Sequence, residues 1–253
     1  MCKAFSCLVD KNKRVVWELS IDSHDKLIEK YGYKNTDDST KFVRVEVAPK
    51  NGSYLKPDKW MFKVDETSIP DWFSPAHKEA CMSEFRIYKK QLYKIIVRKK
   101  IVHPFNDINF KGKITLKHKL LLKEWDSVWD SVWDSVGDSV RDSVRDSVGD
   151  SVKDSVWDSV GGSVGDSVWG SVWDSVWDSV GGYIGSFFRL KREQWKYTDK
   201  IKTDGYPFQS VVDLWMMGLV PSFDGKNWRL HAGEKTKIVF SITKDDLMKI
   251  KEK

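Results

Sequence analysis

From Trp125 to Val180 the chain repeats a four-residue unit fourteen times, and every unit ends in Ser-Val. Twelve units carry Asp at the second position, while Gly162 and Gly170 stand there in the other two. The first position varies among Trp, Gly, Arg and Lys, with Trp gathered toward both ends of the array. Two worn units follow, Gly181-Gly182-Tyr183-Ile184 and Gly185-Ser186-Phe187-Phe188. An internal period must be interpreted before anything else, because it dictates which residues share a face.

A strict repeat of four overshoots the 3.6-residue helical turn, so each stripe of side chains rotates by about 40° per unit. Holding Val against one partner over many units then demands right-handed supercoiling. Val, Ser, Asp, Trp and Gly are indifferent or poor helix formers. Continuity favours helix: Leu116, Leu120 and Leu121 approach the array at helical spacing, and Val180, Ile184 and Phe187 leave it the same way. The alternative is a short β-solenoid with four-residue sides, in which Asp-Ser pairs turn the corners and Val points inward. The helical reading is weakest from Gly161 to Gly170, where four glycines interrupt it.

A lone helix of this length and composition is unstable, so its Val and Trp need a partner. That partner is either the flanking domains or another copy of the chain. The residues expected to carry self-association are Trp125, Val128, Trp129, Val132, Trp133, Val136, Trp169, Trp173 and Trp177. A spacer produced by duplication of a short coding unit accounts for the same pattern.

Charge follows the array. The whole chain carries a formal +6, yet residues 1–124 are net +10, residues 125–180 net −9 and residues 181–253 net +5. The fold class expected is α+β: an N-terminal α+β domain (1–111), a lead-in helix with the repeat segment (112–188) and a small C-terminal α+β domain (189–253). In the first, apolar runs at 4–9 and 15–19 form a hairpin, Asp22-Ser23 caps a helix, and Phe42–Val47 alternates as a strand. A helix is expected from about Ala76 to Arg98. In the last, a helix ends before Pro221, Asp224-Gly225 turns between strands, and Thr243 caps a short helix.

The segments MCKAFS at the start, IDSH at 21–24, PDWFSPAH at 70–77, the array itself and LVPSFDGKNWRLHAG at 219–233 resemble bacterial, phage and metagenomic proteins that carry tetrapeptide arrays of variable length. The resemblance implies a prokaryotic or phage origin and transfers no functional residue.

Chemistry is thinly signalled. Cys2, exposed by removal of Met1, could serve as an N-terminal nucleophile with its own amine as base. The opening resembles class II glutamine amidotransferases and proteins that bond abasic DNA, but Lys3 stands where both have Gly. Lys89, Lys90, Lys94, Arg98, Lys99 and Lys100, interleaved with Tyr88 and Tyr93, form a basic run with the composition of a nucleic-acid contact. Such a run serves equally as a solvated face or as a partner for the array's Asp stripe. Gly161-Gly162-Ser163-Val164-Gly165 spells G-x-S-x-G only because glycines fall in adjacent units. The five histidines show no ligand spacing, and Cys2, Cys7 and Cys81 form no C-x-x-C, so no metal site or cofactor is expected. Asp22 and His24 could support acid–base work, although capping explains them as well. With no export signal, no apolar run long enough for a membrane span and reduced thiols, the expected setting is the cytoplasm. The sequence therefore points to a structural or interaction protein that forms a homo-oligomer through the repeat. The alternatives are an enzyme acting through Cys2 and nucleic-acid binding by the basic run.

Overall fold

A computed structural model describes residues 5–33, 41–49, 57–132, 135–164 and 173–251. Cys2, Trp133 and Trp169 lie outside these residues, as does the side chain of Trp173. The chain is α+β, with two small antiparallel sheets and, among the described residues, no closed solenoid. It divides into two compact units that cut across the three segments expected from composition. Residues 1–97 and 144–159 form the first, and residues 98–143 and 160–253 the second.

The first unit holds β1 (Phe5–Asp10), β2 (Val15–Val16), β3 (Phe42–Pro49) and β4 (Trp60–Val64) in the order β2-β1-β3-β4. Cross-strand pairs Phe5–Val47, Cys7–Val45 and Val9–Val43 put these six residues on one face. Helix α2 (Pro75–Ile95) covers that face, where Phe5 meets Phe85 at 5.5 Å and Tyr88 at 5.0 Å between ring centres. Helix α1 (His24–Lys30) covers the other through Leu27 and Ile28, packed on Leu8, Val16 and Phe42. Both faces are therefore buried, and the alternation along β3 separates two cores rather than core from water. The helix starts follow local chemistry. The Ser23 hydroxyl accepts from Lys26 N, and in α2 the backbone N–H of Ser74 donates to His77 Nδ1 at 3.2 Å. Helix α2 stops at Ile95, three residues short of the expected end.

The array is helical in its described parts but is broken into pieces: the end of α3 (Leu116–Trp129), α4 (Val136–Val148), α5 (Asp150–Val164) and α6 (Trp173–Gly185). The reason lies in the repeat itself. Each Ser that is followed three residues later by Asp is a latent capping box. At Ser135 the side-chain cap is made: its hydroxyl accepts from Asp138 N at 3.0 Å and donates to the Asp138 carboxylate at 2.8 Å. At Gly149 a φ of +83° ends α4, and α5 begins at the next residue. Each break lets the helix axis reset, so the 40° drift never accumulates over the full array. All eleven array valines whose side chains are described, from Val128 to Val160 together with Val176 and Val180, are buried.

In the second unit β5 (Val220–Phe223), β6 (Asn227–Ala232) and β7 (Lys237–Thr243) form an antiparallel meander. Helix α6 packs on β5 and on α7 (Gln209–Met216), α3 packs on α7, and α8 (Lys244–Met248) packs on α3 and β7. The β5–β6 turn is built on Asp224, whose carboxylate accepts from Asn227 N at 2.6 Å and Lys226 N at 3.0 Å, with Gly225 at φ +88°. Those N–H groups, Asn227 first, hold the Asp224 carboxyl down at about 2. A lowered folded value means that its contribution to stability is complete above the ordinary carboxylate range and drains away as pH falls through about 2. An NMR titration should place this carboxyl midpoint below the ordinary carboxylate range. Asp224→Asn should abolish that low titration.

Candidate functional site

Among the described array residues singled out by sequence, Trp125, Trp129 and Trp177 lie against other array units and the C-terminal elements of the second unit. Trp125 is fully buried. Trp129 donates its indole N–H to Asp178 at 2.6 Å, and the same carboxylate accepts from Gly137 N at 3.1 Å at the start of α4. The second and the last units of the array are thereby tied together. Burial pushes the Asp178 carboxyl up, against the pull of the N–H groups it accepts from. Trp177 stacks under the Arg141 guanidinium, 5.0 Å from its ring centre. Asp126, buried in the first unit of the array, accepts from the Trp228 indole at 2.6 Å and lies 3.2 Å from the Lys244 ammonium. Lys244 also meets Asp130 at 2.6 Å and sits over Trp129 and Phe223.

The array serines act on backbone. Ser139 Oγ donates to Lys196 O at 2.5 Å, while Ser143 Oγ accepts from Lys196 N at 2.8 Å, so two units clamp both sides of one residue. Ser179 reaches Pro221 O at 3.1 Å and joins the last unit to β5. The Asp positions divide in the same way. Asp126 and Asp178 are buried, whereas Asp138, Asp146, Asp154 and Asp158 are exposed. A uniformly solvated acidic stripe is therefore not what forms.

This scaffold presents β7 at the edge of the C-terminal sheet. The opposite edge strand, β5, is covered by α6, whereas no strand pairs with the outer side of β7 among the described residues. From Ile238 to Thr243 the strand reads IVFSIT, six residues without a charge. Ile238 and Val239 are 53% and 41% exposed. A register shift between Leu230 and His231 places the extra residue of a bulge at Val239. The Lys119 ammonium lies 5.3 Å from the Phe240 ring centre. Beside the first two array units lies a cavity of about 310 Å³, lined in part by Glu124, Ser127, Ser131, Lys200 and Lys202. Burial and the nearby Asp213 raise the Glu124 carboxyl. The lining is mixed, with Val128, Ile201 and Pro207 beside these hydroxyl, ammonium and carboxyl groups.

The basic run is divided between the two compact units. Lys89 is tied to Asp58 at 2.7 Å in the first unit, and Lys90 and Lys94 are exposed along α2. Arg98, Lys99 and Lys100 belong to the second unit. There Lys99 donates to Ser186 Oγ at 2.7 Å and covers the Phe187 ring, with burial lowering its pKa. Lys100 lies 3.8 Å from Asp107. Cys7 and Cys81 are buried, and burial followed by the Cys81 thiol raises the Cys7 pKa well above its ordinary value, which makes it a poor nucleophile. Among the described residues no helix is long and apolar enough to cross a membrane. No protein-family model, curated protein or solved structure matches this chain.

The sequence did not single out β7 as an interaction site. Its signal was present, a run of β-branched and aromatic residues without charge or Pro, but a buried strand carries the same signal. Only the strand order separates the two.

Proposed function

We propose that this chain is a structural or interaction protein that self-associates, with the repeat array as its internal scaffold and the free edge of β7 as the contact with a second copy. The observation that carries the reading is the exposed, uncharged β7 edge. A strand of this kind offers a row of backbone donors and acceptors to another strand, and native proteins usually blunt such edges with charge or Pro. Two copies meeting antiparallel about Phe240 would place Ile238 opposite Ile242 and Val239 opposite Ser241. Each Lys237 would then face the partner's Thr243 rather than another cation, so the pairing brings no like charges together. The symmetry is that of an isologous dimer. The array supports the reading from inside, because its described valines already pack within the chain.

Light scattering coupled to gel filtration tests this directly. The intact chain should run at the mass of a dimer at micromolar concentration, and Val239→Lys should run as a monomer with an unchanged circular dichroism spectrum. A monomeric intact chain, or a variant that remains dimeric, would overturn the assignment to β7.

A further inference from the structure

We propose that the first unit carries a divalent transition-metal site formed by His24, Glu46 and Asp65. These residues come from the first position of α1, the middle of β3 and the residue after β4. One ligand atom from each lies within 4.8 Å of the other two. Their separation in sequence, 22 and 19 positions, explains why no short motif announces them.

Two observations point to a cation. The first is Glu46, a residue only 7% exposed, which brings a carboxylate oxygen beside both the His24 imidazole and the Asp65 carboxylate. A buried carboxylate is costly unless a positive or hydrogen-bonding group compensates it. The second is the support of His24. Its Nε2 lies 3.1 Å from the Val45 carbonyl, so donation there leaves Nδ1 turned toward Asp65, whose Oδ2 is 3.5 Å away. An imidazole that gives one N–H to a backbone carbonyl and offers the other nitrogen beside carboxylates has the outer-shell arrangement of metal-ligating histidines.

The surroundings bound the affinity and the kind of ion. Lys63 is 2.9 Å from Asp65 Oδ1 and faces Glu46 across the strand pair, so it competes with an incoming cation. Arg44 is engaged by both oxygens of Glu66 at 3.1 Å and is held to that carboxylate instead. One imidazole and two carboxylates suit Zn²⁺, Mn²⁺ or Fe²⁺ better than Mg²⁺ or Ca²⁺, which favour oxygen alone. Three donors leave at least one coordination position for water or an anionic ligand, as in sites that act on a ligand rather than closed structural sites. Access runs past Asp65, whose side chain is 36% exposed, while His24 is buried.

Calorimetric titration of the full-length, chelator-treated chain with Zn²⁺ tests the site, with Co²⁺ as the spectroscopic probe. The expected result is one equivalent bound at micromolar or tighter affinity, and a Co²⁺ spectrum that includes a nitrogen ligand. Glu46→Gln, which keeps the shape of the side chain, should weaken binding by about 100-fold. Asp65→Asn, at the exposed end of the site, should weaken it by at least about 10-fold and leaves the test intact if the Glu46 variant misfolds. Asp154→Asn on the array should change nothing. Absence of a one-equivalent site, or Zn²⁺ affinity unchanged in both folded variants, would overturn the proposal.

Discussion

Replacing Asp126 with Ala should lower the stability of the second unit by about 3 kcal/mol, whereas the same replacement at Asp158, which lies in the first unit, should change that unit's stability by less than about 0.5 kcal/mol. The two aspartates occupy identical tetrapeptides, Trp-Asp-Ser-Val at 125–128 and 157–160. They differ only in what the fold puts around them. Asp126 is 1% exposed, and its carboxylate receives the buried Trp228 indole N–H and faces the Lys244 ammonium. Truncation leaves that N–H desolvated without an acceptor, worth about 1–3 kcal/mol, and removes one anion from a partly buried cation. Asp158 is exposed. At roughly 2–4 °C per kcal/mol for a chain of this size, Asp126→Ala should lower the melting temperature by about 6–12 °C. Thermal unfolding followed by tryptophan fluorescence reads the difference, because Trp228 donates to the carboxylate and Trp129 packs edge-on against Trp228. Equal shifts for the two variants would show that the Asp126 contacts contribute nothing beyond those of a surface aspartate.

That pair also shows how far the sequence can be read. Period four makes valine a helix stripe, and every described array valine is buried. Local chemistry was legible where one short segment decides it: Ser23 before α1, Thr243 before α8, and the Asp224-Gly225 turn each act within three or four residues. Other properties depend on chain that returns from far away. Identical units become a buried anchor at Asp126 and a solvated carboxylate at Asp158, because Trp228 comes back to only one of them. The array also belongs to two compact units, although every tetrapeptide in it ends in Ser-Val. Here Gly149 matters more than its neighbours: a Cβ there would lie 3.4 Å from Asp22 and from the Ser20 carbonyl, and its positive φ ends one helix. The candidate metal ligands were unreadable for the same reason, since a sheet register and not a spacing brings them together.

The glycines that replace Asp give the sharpest contrast. Gly162 and Gly182 both stand at the second position of a unit, so mutation of either to Asp returns the residue that the repeat carries there. At Gly162, in α5, a Cβ meets nothing within 4 Å. Helix propensity improves slightly over Gly, and a carboxylate in the last turn opposes the helix dipole by a comparable amount, so Gly162→Asp should fall within about 0.5 kcal/mol of the parent. At Gly182, in α6, a Cβ would lie 2.6 Å from Val211 Cγ1 and 3.4 Å from Phe208 Cβ, with Trp125 at 3.7 Å. Val211, Phe208 and Trp125 are all fully buried. Asp there combines overpacking, about 1–3 kcal/mol, with a desolvated carboxylate among apolar groups, which costs several kcal/mol more. The total exceeds about 4 kcal/mol, a large share of the stability of an ordinary domain. Gly182→Asp should therefore leave the second unit unfolded or poorly soluble, while Gly182→Ala, which adds a methyl and recovers about 1 kcal/mol of helix propensity, should fold with reduced stability. Urea denaturation of the three variants decides it. A stable Gly182→Asp protein would mean that α6 does not approach α7 as closely as 2.6 Å implies, and that the loss of Asp from the worn units has no packing cause.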